Sequence, residues 1–250
     1  GKYVNNNEGC ENYVIKSDHD KVELWSQKRL PFEPKDWLQQ MKNALCDELH
    51  KITAKENTIL FAEYASPDES PCDVENVLLY NVGSGPFRHL TRSGIFLKRN
   101  FQAKPLHETS PCLFPHYHRY QMYSLDLIHE EMAKTQDLLA SWNNIMITFM
   151  TSNAKPHQYW YALKTHDVVI YRLRVPLYYG IHLQIDAPNK QYFNLASIIK
   201  PMLDGFISAF HSYHKFDSEI INKLTMLAGS QRDTIVSLVQ NQNTAILGKR

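Results

Sequence analysis

No apolar stretch of this 250-residue chain is long enough to cross a bilayer. Polar residues interrupt every one well short of the ~20 residues that a membrane helix needs. An excess of charge of one sign is also missing. Lys and Arg number 27 and Asp and Glu 26, a formal net charge of +1. No global field therefore draws in nucleic acid or an anionic membrane, and either partner would need a local patch. Glycine is scarce, at nine residues, which argues against a nucleotide-cradling loop. No P-loop, GxGxxG, GxSxG or HExxH pattern occurs, and no Cys–His nucleophile setting. Cys10, Cys46, Cys72 and Cys112 stand far apart without a CxxC pair, which speaks against a zinc ribbon or knuckle. Residues 1–13 carry no apolar core of the kind a secretory signal has. The expectation is a cytoplasmic protein with free thiols and no membrane association.

What is present reads as a globular protein. Hydrophobic residues make up 43% and charged residues 21%, and the length suffices for one large domain or two small ones. Trp37, Leu38, Met41, Leu45 and Leu49 recur at helical spacing after Pro34, so a helix is expected over about 35–52. Strands are expected over 58–64, 94–101, 119–127, 144–150, 158–164, 168–174 and 177–186, and a helix over 129–142. Leu195, Ile198, Ile199, Met202, Leu203, Phe206, Ile207 and Phe210 form a broad helical stripe, interrupted by Pro201 and Gly205. Two shorter helices are expected over 218–228 and 232–240.

The order predicts an α+β protein, with a mixed, largely antiparallel sheet packed against helices. Its strands would cluster between 144 and 186. The chain reads either as one domain over 1–250 or as two related halves, about 22–127 and 128–250. The second possibility rests on an internal comparison. ILFAEYASPDESPCDVENVLLYNVG and IHLQIDAPNKQYFNLASIIKPMLDG each read as strand, Ala-Pro or nearby Pro, polar loop, Asn and apolar helix. On this reading Asn76 and Asn194 are equivalent helix caps. Strand–loop–helix is also a common unit that recurs by chance.

The most suggestive chemistry lies in CDVENVLLYNVG, residues 72–83. Glu63 ends the preceding strand, and Asp68, Glu69, Asp73 and Glu75 precede the apolar run. Carboxylates converging at a strand end suit Mg2+, a hard cation, and such an ion supports phosphodiester hydrolysis. The candidate metal ligands are Glu63, Asp73 and Glu75. The plainer reading of the same residues is a solvated loop with acids placed favourably at a helix start.

Asp73-Val74-Glu75-Asn76 before an apolar run resembles the acidic DxDN motif of RusA-type Holliday-junction resolvases. Asn194-Leu195 with Lys200, Asp204 and Gly205 resembles the later part of the same pattern. The resemblance implies a small α/β dimer that binds Mg2+ through its acids and cuts branched DNA. Asp73, Glu75, Lys200 and Asp204 would then be the catalytic set. The sequence departs from the pattern: Leu79 stands where the first copy should carry lysine, Tyr192 and Phe193 stand where the second should carry acids, and Lys200 comes late.

Two further clusters compete for attention. Lys98, Arg99, Arg172 and Arg174, among aromatic residues, have the ingredients of DNA or RNA binding. His182, Gln184 and Asp186 share one face of the expected strand 177–186, and with Lys200 and Asp204 they suit acid–base work on a small molecule. His116 and His118, at i,i+2, would share a strand face. Three functions follow as alternatives: a Mg2+-dependent nuclease or its degenerate relative, a non-catalytic module that binds a protein partner or a second copy of itself, and a small-molecule enzyme at the His182–Asp186 face.

Overall fold

The structure is a computed structural model that describes residues 11–106, 113–134, 137–147, 153–171, 174–187, 194–242 and 244–250. The chain divides into two units, each packed mainly against itself. Unit 1 comprises residues 1–134 and 187–197, and unit 2 comprises 135–186 and 198–250.

Unit 1 is built on a five-stranded sheet: β1 (Tyr13–Ser17), β2 (Lys21–Ser26), β3 (Thr58–Ala65), β4 (Ile95–Asn100) and β5 (His116–Ser124), in the order β1-β2-β5-β3-β4. The β3–β4 pair is parallel and the other pairs are antiparallel. The chain is thus α+β with a mixed, largely antiparallel sheet. Its main sheet lies in the first half rather than between 144 and 186. Helix α1 (Trp37–Lys51) packs on β1 and β2, with Met41, Leu45 and Leu49 at i, i+4 and i+8 fully buried. One sheet face carries Leu24, Leu60, Ala62, Tyr64, His118 and Tyr120 in register. Tyr120 donates to the carbonyl of Leu78 at 2.7 Å, so this is the face that the segment after β3 covers. Helix α2 (Leu125–Met132) starts where Ser124 Oγ accepts from Leu127 N. That cap ends the strand expected over 119–127 and moves the helix earlier than 129–142. Residues 140–142, expected as helix, form strand β6 instead.

Unit 2 holds β6 (Ala140–Trp142), α3 (Pro156–Lys164), β7 (Val168–Ile170), α5 (Ser218–Ala228) and α6 (Arg232–Gln240), with most of α4 (Leu195–Ala209). β6 and β7 pair antiparallel. The strand expected over 158–164 is helix α3. Pro156 occupies its first turn, Gln158 Oε1 accepts from Lys155 N at 2.8 Å, and Tyr159, Trp160 and Leu163 share one buried helical face. Aromatic, β-favouring residues here follow the helical period because α4 offers a surface to pack on. Gly205 of α4 is the point of closest approach: a Cβ there would lie 2.7 Å from Tyr159 Cβ. Phe206 meets Tyr159 edge to face at 5.7 Å.

Two further expectations are corrected. Residues 177–187 form no strand, despite their alternation, because no neighbouring strand pairs with them among the described residues. The strand of the second strand–loop–helix copy is therefore not formed, and its loop over 188–193 lies outside the described residues. Residues 144–147 likewise have no regular structure, and 148–150 lie outside the described residues.

Candidate functional site

Beyond Ala65, the end of β3, the chain leaves the sheet and turns sharply. Ser66 Oγ accepts from Asp68 N at 3.2 Å, and Asp68 Oδ1 accepts from Ser70 N at 2.9 Å, a side-chain-built turn. Two arginines pin it. Arg29 Nη2 donates to Asp68 Oδ2 at 2.9 Å and to Ser70 Oγ at 2.6 Å. Hydrogen bonds from Ser70, then the Arg29 guanidinium, hold the Asp68 carboxyl down to about 2. Arg99 donates to the carbonyls of Ser66 (3.1 Å), Asp68 (2.7 Å) and Asn100, with its guanidinium 4.7 Å from the Tyr64 ring centre and 4.2 Å from that of Phe101.

The helical segment starts at Val74 and becomes a π-turn over Asn76–Tyr80, closed by Asn81 N donating to Asn76 O at 2.8 Å. Asn76 is not the cap. Asp73 precedes the helix, its carbonyl accepts from the amides of Asn76 and Val77, and Asn76 Nδ2 donates to Asp73 Oδ2 at 3.1 Å. Asn76 Oδ1 is buried without a hydrogen-bond partner. Carboxylate oxygens of Asp73 and Glu75 lie within 4.8 Å of one another; Asp73 is exposed and Glu75 is buried.

Asp73 and Asn76 line a cleft of about 820 Å3, together with Lys28, Arg29, Asp68 and His116. His116 is only 8% exposed. Its Nδ1 is hydrogen-bonded to Tyr64 OH at 2.7 Å, and no residue bonds its Nε2 among the described ones. Burial first, and then the positive Arg29, push the His116 pKa down, so the ring is neutral near pH 7. The cleft thus carries charges of both signs, with Arg29 paired to Asp68 and with Lys28 and Asp73 also in its lining.

Glu63 does not join Asp73 and Glu75 in a group of acids able to share one ion. The cause is strand geometry. Successive residues point to opposite faces, and Ala62 and Tyr64 take the helix-covered face. Glu63 is left on the other, in register with Lys98 and Arg119 and accepting from Asn100 Nδ2 at 3.0 Å.

Lys98 pairs with Glu131 at 2.9 Å, and Arg99 is the clamp already described. Arg172 lies outside the described residues, while Arg174 is exposed and outside regular structure. His182 and Asp186 are not gathered on one strand face, since the segment that carries them is irregular. Lys200 and Asp204 pair with each other along α4 at 3.3 Å. His116 and His118 do share a face of β5, as their spacing predicts, but as buried groups in the sheet rather than as an exposed pair. Arg29 and Tyr64 are site residues that sequence reasoning misses, and only the basic Lys28-Arg29 step before Pro31 hints at the first; His116 is legible only as half of its i,i+2 pair with His118. Asp18, His19 and Asp20, in the exposed β1–β2 turn, also bring three ligand atoms within 4.8 Å, as a tight hairpin does with such residues.

The Asp73–Glu75 pair suits a hard divalent cation by its donor set. Mg2+ commonly takes one or two carboxylates, with water and phosphate completing its shell. Comparison of the chain with protein-family models, with curated proteins and with solved structures found no match.

Proposed function

We propose that unit 1 acts on nucleic acid, with Asp73 and Glu75 holding Mg2+ and the adjoining cleft receiving the phosphodiester backbone. One observation carries this reading: an exposed and a buried carboxylate within 4.8 Å, at the edge of a cleft that Lys28 and Arg29 also line. A bound Mg2+ would lower the pKa of its water and offset charge on the phosphate. The chain's own contributions are positional. Asn76 holds the Asp73 carboxylate, Lys28 and Arg29 supply positive charge for a phosphate, and neutral His116 offers a ring nitrogen to the cleft. Lys98 and Arg99 are spent on Glu131 and on backbone carbonyls, and Arg29 is paired with Asp68 and Ser70, so in this reading Lys28 makes the phosphate contact while Arg29 adds positive charge beside it.

The test is calorimetric titration with Mg2+ and Mn2+, combined with cleavage assays on single-stranded and branched DNA. Wild type is expected to bind one of the ions and to cut, and Asp73→Asn and Glu75→Gln to lose both properties. A wild-type protein that binds neither ion removes the reading, and the acids are then a solvated loop.

A further inference from the structure

We infer that the exposed aromatic pair Phe32–Tyr80 beside the cleft is a stacking platform for an unpaired nucleobase of a single-stranded substrate. This rests on the reading of the cleft just given and names the substrate class that it takes.

The pair stands where a ligand in the cleft would extend. Leu30 and Pro31 line the cleft immediately before Phe32, and Val77 and Asn81 line it on either side of Tyr80. The two ring centres are 5.1 Å apart and their planes differ by 7°, the offset-stacked arrangement that aromatic pairs favour. Both rings nevertheless stay open to solvent, Phe32 at 56% and Tyr80 at 47%. Burial of aromatic area in the core therefore does not explain their position.

The platform is also fixed in place. Asn81 Nδ2 donates to the carbonyl of Leu30 at 2.9 Å in a buried bond, which ties the two segments bearing the rings. The π-turn ends at Tyr80 and carries Asn76, whose amide holds Asp73. From Asp73 to Tyr80 is seven residues, at most roughly 10 Å along the axis, since a π-turn rises less than the ~1.5 Å per residue of an α-helix. One nucleotide and its neighbouring phosphate bridge a gap of that order. A base on the rings would set its backbone past Lys28 and Arg29 toward the two carboxylates. Every base has a π-face, so such a platform tolerates sequence but requires an unstacked base.

The experiment measures fluorescence anisotropy at low salt, with Ca2+ standing in for Mg2+ as a hard, oxygen-liganded ion. The probes are a labelled oligothymidylate and a labelled deoxyribose-phosphate oligomer of equal length without bases. Wild type is expected to bind the base-bearing probe about 5- to 100-fold more tightly, the range that loss of a stacked base spans. Phe32→Leu and Tyr80→Leu should erase that preference, while Phe32→Tyr and Tyr80→Phe keep it. All four should bind Mg2+ in calorimetry as wild type does, which also shows that they are folded. The inference is overturned if wild type binds both probes equally, if it binds neither, or if the leucine variants keep the preference. Those results leave Mg2+ binding by Asp73 and Glu75 standing. Conversely, Asp73→Asn that still takes up Mg2+ removes the metal reading without touching the base preference.

Discussion

The side-chain amide of Asn76 donates to the carboxylate of Asp73 across 3.1 Å, so the amide serves the acid rather than the helix start. Asn76→Ala is accordingly expected to lower stability in urea by less than about 1 kcal/mol. Loss of a true cap costs about 0.5–2 kcal/mol, whereas here removal of a buried, unpartnered Oδ1 offsets the lost bond. Mg2+ affinity should fall about 10- to 100-fold, as when a group that orients a ligand is removed. An unchanged affinity in calorimetry would show that Asp73 needs no such support.

His118 lies on β5 with its Nδ1 3.3 Å from Tyr120 OH and is only 1% exposed. Burial, and then the neighbouring His116, push its pKa down to about 3 from 6.5. The unfolded chain binds this proton more readily than the folded one. The stability contribution is therefore complete above about 6.5 and is lost as pH falls toward 3. Denaturation followed between those pH values should lose on the order of 2–4 kcal/mol through this group. In His118→Phe the curve should be distinctly flatter, and identical slopes would refute the assignment.

Lys164 ends α3 with its ammonium inside unit 2, where Nζ donates to Thr244 Oγ1 at 2.7 Å and to His211 O at 3.4 Å. Burial pushes its pKa down to about 8. The folded state thus binds the proton less tightly than the unfolded state, whose lysine titrates near ~10.4. This group's contribution is least favourable below about 8 and rises between there and ~10.4. Stability measured from about pH 7.5 to 10 should rise in wild type relative to Lys164→Met, by on the order of 1–3 kcal/mol. Parallel curves would mean that the ammonium reaches water.

At Gly205 two effects oppose each other. Alanine is better than glycine inside a helix by about 1 kcal/mol. The added methyl would, however, lie 2.7 Å from Tyr159 Cβ and still closer to the Pro156 carbonyl, so α3 and α4 would have to separate. Overpacking of this kind costs about 1–3 kcal/mol. Backbone cannot yield as a flexible side-chain tip can, so Gly205→Ala should be destabilising on balance. A variant with a raised melting temperature would show that the helices can part freely.

Short-range periodicity is legible where one neighbour decides burial. Met41, Leu45 and Leu49 announce α1, and the short apolar run Ile59–Ala62 announces β3, an interior strand buried along most of its length. It misleads where a tertiary surface chooses between periods. QYWYALK contains β-favouring aromatics, but α4 provides a surface that suits a helix, and Gln158 and Pro156 secure its first turn. Residues 177–186 show the reverse: the alternation is clear, yet a strand without a partner leaves its backbone groups to water.

For the candidate site the division falls between neighbours in the chain and neighbours in space. Asp73 and Asn76 stand three residues apart, a spacing that a helical start places side by side, and the DVEN run alone is enough to single out these residues; the approach of Glu75, at i+2, depends on the local turn. Glu63 is ten residues from Asp73 along the chain, and a period of two cannot say which sheet face a later helix will cover. Contact of Tyr120 with Leu78 settles that choice and turns Glu63 away. Arg29 and His116 reach the cleft, and the Phe32–Tyr80 pair lies beside it, only because the segment after β2, strand β5 and the π-turn meet there. Such long-range meetings depend on the packing of the whole sheet, which no local pattern encodes.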